Sequence, residues 1–387
     1  MLAALELIGR AMPTTTIAQR MTETGGRPTG FDYLRLGLAV SILCWHSVVT
    51  CYGSDVQTAV DSSLARPLMA VLLPAFFALS GFLVASSLER SKTIGMFLGL
   101  RAIRIFPALA VESLIAALIL GPLLTTRPVL AYFADPQFHA YFLNILGDPH
   151  FYLPGVFTST PFNQVNSQLA TIPYELKCYI MLTALALLGA VRRPAVLLWA
   201  TLALTALGVG WAAITAPHDL TAVGGPVAGS LLIVSFLAGV LIYLYRERIA
   251  WRWSWGVGSL ILGLLLLDVP VGENLAVFPL AYATVFFGLT NAPKTGVLRG
   301  ADYSYGIFLY GFAVQQTYVL LAPDGRHWWL NIAVTLPATA AVAALSWHLV
   351  EKPALGLRTQ LARLEARWLA RPRRAPALFG GSRSPAA

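Results

Sequence analysis

The chain has 387 residues, 57% hydrophobic and only 12% charged, with a formal net charge of +9. A soluble globular domain carries about 25% charged residues, so these charges are too few to coat a soluble body, and the apolar residues come in long runs. The positive charge excludes a nucleic-acid binder rather than indicating one: most Lys and Arg lie in short segments beside apolar spans, the pattern that orients a protein in a lipid bilayer.

The expected fold is therefore all-α, a polytopic integral membrane protein. Residues 1–30 hold an apolar run broken by Glu6 and Arg10 with no basic region before it, which is not a secretory signal; a flexible cytoplasmic tail is expected there. Windows of about 20 apolar residues, enough to cross a ~30 Å hydrocarbon core, fall at 33–52, 67–87, 105–125, 168–189, 195–215, 226–245, 253–269, 274–291, 303–322 and 328–349.

The first span contains RLGLAVSILCWH. Eleven steps of about 100° return a helix to within roughly 20° of its starting face, so Arg35 and His46 share one stripe about 16 Å apart. The third span, LRAIRIFPALAVES, sets Arg101 and Arg104 one turn apart at its mouth and Glu112 eleven residues beyond Arg101. It repeats the arrangement of the first: a guanidinium at the mouth and an ionisable group three turns deeper.

The segment 126–167 is long for a loop, and its FADPQFHAYFLNILGDPHFYLPGVF run mixes aromatic and polar groups. Such a surface suits a sugar, and packing as a cap over the helices accounts for it equally well. The fourth span carries Tyr174, Glu175 and Lys177, and the ninth the pair Gln315-Gln316. In the basic tail 354–387, residues 355–371 place Leu357, Leu361, Leu364 and Trp368 on one face, the pattern of an interfacial helix. Cys44, Cys51 and Cys178 lie in or at the ends of spans, with neither a disulfide framework nor metal-ligand spacing.

If both termini are cytoplasmic, 23 of the 27 basic residues fall inside, counting Arg35 at the inner edge of the first span, against Arg66, Arg127 and Arg326 outside. That asymmetry fits about ten helices with both ends inside.

Ionisable groups within a bilayer are costly and mark functional sites by default. Counted from the inner face, His46 lies about 15 Å deep, Gln315 about 18 Å, Glu175 about 20 Å and Glu112 about 10 Å. A His, a Glu and an amide can thus meet near the midplane above a ring of arginines. Guanidiniums suit phosphates, and an imidazole takes and returns a proton near neutral pH. Together they describe a phosphate-bearing donor at the cytoplasmic mouth, its reactive end reaching a base in the membrane. The competing assignments are positive-inside anchoring for Arg101 and Arg104, interhelical bonding for His46 and the glutamines, a proton-coupled transporter or flippase of a polar glycolipid, and a scaffold without catalysis.

Six segments, in order, resemble the membrane-bound acyltransferase 3 family over roughly residues 31–353: FDYLRLGLAVSILCWH, PAFFALSGFLVASSL, RAIRIFPAL, NSQLATIPYELKCYI, DYSYGIFLYGFAVQQ and SWHLVEKPAL. Gln168-Leu169 stands where the family often carries a Trp. The resemblance implies a multi-pass protein of the cell membrane that moves an acyl group, commonly acetyl, from cytoplasmic acyl-CoA to a hydroxyl of a carbohydrate or glycolipid, without a metal, alongside envelope-glycan biosynthesis proteins. It implies that His46 is the general base, or else passes the acyl chain along, and that Glu175 helps form the catalytic centre. It further implies that Arg101 and Arg104 bind the CoA phosphates, extended by Arg35. Tyr174, Gln315 and Glu112 are expected to bind the substrate.

Overall fold

The computed structural model describes residues 15–26, 28–61, 63–215, 229–269, 271–294, 296 and 301–370. Among these the fold is all-helical, with one isolated bridge, Thr16 to Ala250, and no strand. The helices that matter below are α1 (Ile17–Glu23), α2 (Gly30–Tyr52), α3 (Leu72–Arg90), α4 (Ile94–Ile115), α5 (Ile172–Leu187) and α6 (Pro194–Thr215). They continue with α7 (Gly229–Leu244), α8 (Trp253–Leu267), α9 (Glu273–Gly288), α10 (Ser304–Leu321), α11 (Trp328–Ser346) and α12 (Arg358–Leu369).

A helix stands in each of the ten expected windows. Five described runs are long and apolar enough to cross a membrane: Gly30–Tyr52, Arg66–Arg90, Ile94–Leu124, Pro194–Trp211 and Trp328–Leu369. The others, α5 and α7 to α10, are 15 to 18 residues long. At 1.5 Å per residue a 16-residue helix covers about 24 Å, less than a ~30 Å core, so length and composition single out five. The bundle's outer surface belongs in lipid. On α6, Trp199 is 69% and Trp211 71% exposed, a degree of aromatic exposure that water would penalise.

Two irregularities follow from proline. A π turn at Ala116–Leu120 precedes Pro122, and another at Trp347–Glu351 precedes Pro353. Proline has no N–H to give to the preceding turn, so the ladder shifts just before it. At the first, the Tyr132 hydroxyl donates to the Ala117 carbonyl at 2.7 Å. Tyr132 and Tyr141 are fully buried with Phe138 and Phe157 in a separate core. The aromatic loop segment is thus a packed cap over one end of the bundle.

The N-terminal segment and α12 cover the opposite, basic end. Residues 15–26 lie within the stretch expected to be a tail; here α1 has a capping box between Thr16 and Gln19, and Ile17 is wholly buried. Backbone bonds tie the segment to the loop after α7: Trp251 N donates to Thr15 O at 2.7 Å and Ile17 N to Ile249 O at 2.9 Å. On α12, Leu361 packs over Gly99 of α4 while Leu364 and Trp368 stay exposed.

The tightest approach is between α3 and α7. A Cβ on Gly81 would overlap the Phe236 carbonyl, and one on Gly239 the Ala78 carbonyl. Small residues permit such contact where lipid gives no hydrophobic drive to helix association. Gly81→Val should therefore destabilise the bundle by about 1–3 kcal/mol or more, lowering the apparent melting temperature of detergent-purified protein. An unchanged melting temperature would contradict this packing.

Candidate functional site

Three helices converge at the basic end through one carboxylate. Asp302, just before α10, receives Arg104 Nη2 at 2.7 Å and Arg35 Nη1 at 3.1 Å on the same oxygen. Its other oxygen accepts from the Ser304 hydroxyl at 2.5 Å. Arg35 also pairs with Asp32 at 2.7 Å, and Arg104 approaches Glu351 at 3.6 Å. Burial works against charge on Asp302, but Arg104 and Arg35 hold its carboxyl well below the usual carboxylate range. A depressed folded-state pKa means this stabilisation is in place above the ordinary carboxylate range and is lost only as pH falls through the depressed value.

Arg101, one turn earlier on α4, is held differently. Its Nη2 donates to Ser87 Oγ at 3.2 Å, and its guanidinium lies 6.0 Å from the Tyr179 ring. Among the described residues its buried Nε has no partner and no carboxylate is within ion-pair distance, Glu175 being the acid it interacts with from further off. Arg90 nearby donates to the Ser86 hydroxyl.

These groups open onto a cavity of about 480 Å3. Its mouth is lined by Arg35, Arg90, Arg101, Arg104, Lys294 and Asp302, and its deep end by Ile42, Leu73, Phe76, Phe308, Thr171 and Glu175. Glu175 accepts from the Tyr179 hydroxyl four residues on, which fixes both on the cavity wall.

His46 is not on that wall. It stands one turn beyond Ile42 on α2, half-buried, with its ring edge-on to Phe312 at 5.2 Å. Phe308, one turn before Phe312 on α10, lines the cavity, as Ile42 does. The His46–Phe312 pair is therefore one helical turn beyond two residues that line the deep end. Among the described residues no side chain hydrogen-bonds the imidazole, so neither Glu175 nor Glu112 orients it in this conformation.

The remaining expected site residues separate into two groups. Gln315 is within a turn of His46, its Nε2 donating to Leu43 O at 2.8 Å. Gln168 Nε2 donates to Leu309 O at 2.6 Å. Asn166 Nδ2 donates to Glu112 Oε1 at 2.6 Å, so Glu112 joins the base of the aromatic cap and not the cavity. The amide oxygens of Asn166, Gln168, Gln315 and Gln316 are all buried and, among the described residues, meet no donor: their nitrogens are committed and their acceptors open. Tyr174 faces away from the cavity, with Lys177 5.0 Å from its ring and Gly229 against its edge.

Asp302, Tyr179, Ser87 and Arg90 were not singled out in the sequence. Tyr179 follows Glu175 by four residues, one helical turn, and Asp302 opens the DYSYGIFLYG segment beside the basic mouth. Among the described residues no group of three His, Cys, Asp or Glu side chains is placed to hold a metal ion.

Comparison with known proteins places this site in context. A family model described as an acyltransferase domain matches residues 29–351. Nodulation protein 10 of Rhizobium leguminosarum bv. viciae is 30% identical over 372 residues, covering 87% of this chain and 96% of that protein. An O-acetyl transferase of Shigella phage Sf6 is 26% identical over 291 residues, covering 72% of this chain and 82% of that protein. No solved structure matches.

Removing the shared carboxylate leaves two guanidiniums facing each other. Asp302→Ala should cost about 3 kcal/mol, the low end for a broken buried pair because both arginines keep some exposure, and should lower the apparent melting temperature. Asp302→Asn, which keeps the shape and one acceptor, should lose less. Equal stability of all three proteins would show that the ion pairs do not hold the mouth together.

Proposed function

The chain belongs to the acyltransferase 3 family and is a membrane acyltransferase, and from that premise we propose that it transfers an acyl group, acetyl above all, from cytoplasmic acyl-CoA to a hydroxyl of a cell-envelope or exported carbohydrate. The observation that carries this reading is the cavity. It begins among guanidiniums, one of them, Arg101, in no ion pair among the described residues, and reaches Ile42 and Phe308, each one helical turn from the His46–Phe312 pair. A donor with a phosphate-rich end and a long thin arm fits that shape.

In this scheme the CoA phosphates rest on Arg101 and Arg104, with planar donors matched to phosphate oxygens. Arg35 extends the site, and Asp302 sets the spacing of Arg35 and Arg104. The acceptor enters from the aromatic-cap side. Gln315 and Glu112 lie on that side of His46, and open amide oxygens there suit the hydroxyl donors of a sugar. Tyr174 packs away from both substrates. His46 takes the proton of the attacking hydroxyl. The acceptor oxygen bonds to the acyl carbon, the carbon–sulfur bond breaks, and the proton passes to the CoA thiolate. A thioester is already activated, so alignment and proton removal carry most of the catalysis. Glu175, at the inner end of the cavity, completes the centre with Tyr179.

The name of the phage relative supports acetyl as the group moved. The same reading places the basic end in the cytoplasm, with ten crossings of the cell membrane and the protein working beside envelope-glycan biosynthesis proteins.

His46→Ala should reduce acyl transfer about 10²–10⁴-fold while binding of CoA, followed calorimetrically in detergent, stays at the wild-type level. Arg101→Ala should do the converse, weakening CoA binding about tenfold or more. Undiminished glycan-dependent CoA release by folded His46→Ala protein would remove His46 from the chemistry.

A further inference from the structure

The deep end of the cavity differs in character from its mouth. Beside Glu175 and Thr171 its walls are Ile42, Leu73, Phe76, Phe77 and Phe308, with Phe76 stacked on Phe308 at 6.4 Å between ring centroids. Leu73, Phe76 and Phe308 are each only partly buried, so their apolar faces look into the cavity. The catalytic scheme above uses Glu175 there and assigns the apolar side chains nothing.

Its depth can be set against the length of the donor. Ser87, which holds Arg101, and Phe76 are eleven residues apart on α3, about 16 Å along the axis. The pantetheine arm of CoA has about thirteen bonds between diphosphate and sulfur, about 15 Å when extended at the advance per bond of an extended chain. A donor whose diphosphate sits on Arg101 therefore delivers its sulfur level with Phe76, Ile42 and Phe308, and the acyl chain lies beyond. Leu73 is one turn further, about 4.5 Å, room for about four carbons at about 1.2 Å each. Past it the preceding residues Met69, Val71 and Leu72 pack with Ile42 in an apolar cluster.

We propose that Leu73, Phe76 and Phe308 form the acyl-chain subsite, and that Phe76 with Leu73 behind it sets the longest acyl group accepted, at about four carbons. This rests on the acyl-CoA reading above. Short saturated acyl chains are the ligand class. A longer chain would have to displace side chains already in contact with a closed core, which a packed interior resists.

The test is the release of free CoA thiol from acetyl-, butyryl-, hexanoyl- and octanoyl-CoA by purified protein in nanodiscs with a cell-envelope glycan extract. For wild type, release should fall about tenfold or more between butyryl- and hexanoyl-CoA. Phe76→Ala should raise the hexanoyl-to-acetyl ratio about tenfold or more, and Leu73→Phe should lower the butyryl-to-acetyl ratio by a similar factor. Because each readout is a ratio between donors on one protein, partial loss of folded material cancels. If Phe76→Ala does not fold, Leu73→Phe probes the same wall by adding bulk instead of a void. An unchanged chain-length profile in a folded variant overturns the subsite while His46-dependent acetyl release leaves the donor reading standing. No release from any acyl-CoA by wild type removes both.

Discussion

The basic end of the molecule depends on a single carboxylate shared by two guanidiniums from different helices: Asp302, at the foot of α10, bonded to Arg35 of α2 and Arg104 of α4. Without it only Asp32 and Glu351 would offset the repulsion between the two arginines, and like charges in a partly buried site repel strongly. By tying three helices together there, Asp302 fixes the width of the mouth. It also divides the arginines into two kinds. Arg35 and Arg104 are already paired, whereas among the described residues Arg101 is in no ion pair: it donates to the Ser87 hydroxyl and faces the Tyr179 ring, with Glu175 the nearest interacting acid, and so it keeps capacity for an anion.

From that mouth the chemistry grades inward in a sensible order for a long amphiphilic donor. Guanidiniums give way to Glu175 and Tyr179, then to an apolar end, with His46 one turn behind. The opposite approach to His46 is built from amides. Gln168, Gln315, Gln316 and Asn166 each spend their nitrogen on a structural bond and leave an oxygen without a donor. Buried acceptors left open are costly, and such cost tends to be retained where a ligand supplies the missing donors. A phosphate-bearing donor from one side and a polyhydroxylated acceptor from the other would meet at the imidazole.

Much of this arrangement is legible from helical periodicity. Arg35 and Ile42, Arg101 and Arg104 lie on cavity-facing surfaces because residue spacing in a helix fixes face and depth. What stays hidden depends on partners far along the chain. Glu112 shares a stripe with Arg101, yet its carboxylate is bonded to Asn166 in the cap, 54 residues away, and no local pattern reports that. The convergence of Arg35 and Arg104 on Asp302 is likewise a tertiary event. The docking of residues 15–26 rests on backbone bonds to Ile249 and Trp251, which leave no hydrophobic period to read. The ten apolar windows do hold helices, but composition alone does not show that several of these are only 15 to 16 residues long.

The central claim is that one cavity conducts an acyl donor from Arg101 to the doorstep of His46. Cryo-electron microscopy of the full chain in nanodiscs with a non-hydrolysable thioether analogue of acetyl-CoA tests it most directly. The account predicts diphosphate density against Arg101 and the thioether between Ile42, Phe76 and Phe308, within one helical turn of His46. Analogue density outside this cavity, or a cavity left empty at saturating analogue, would contradict it.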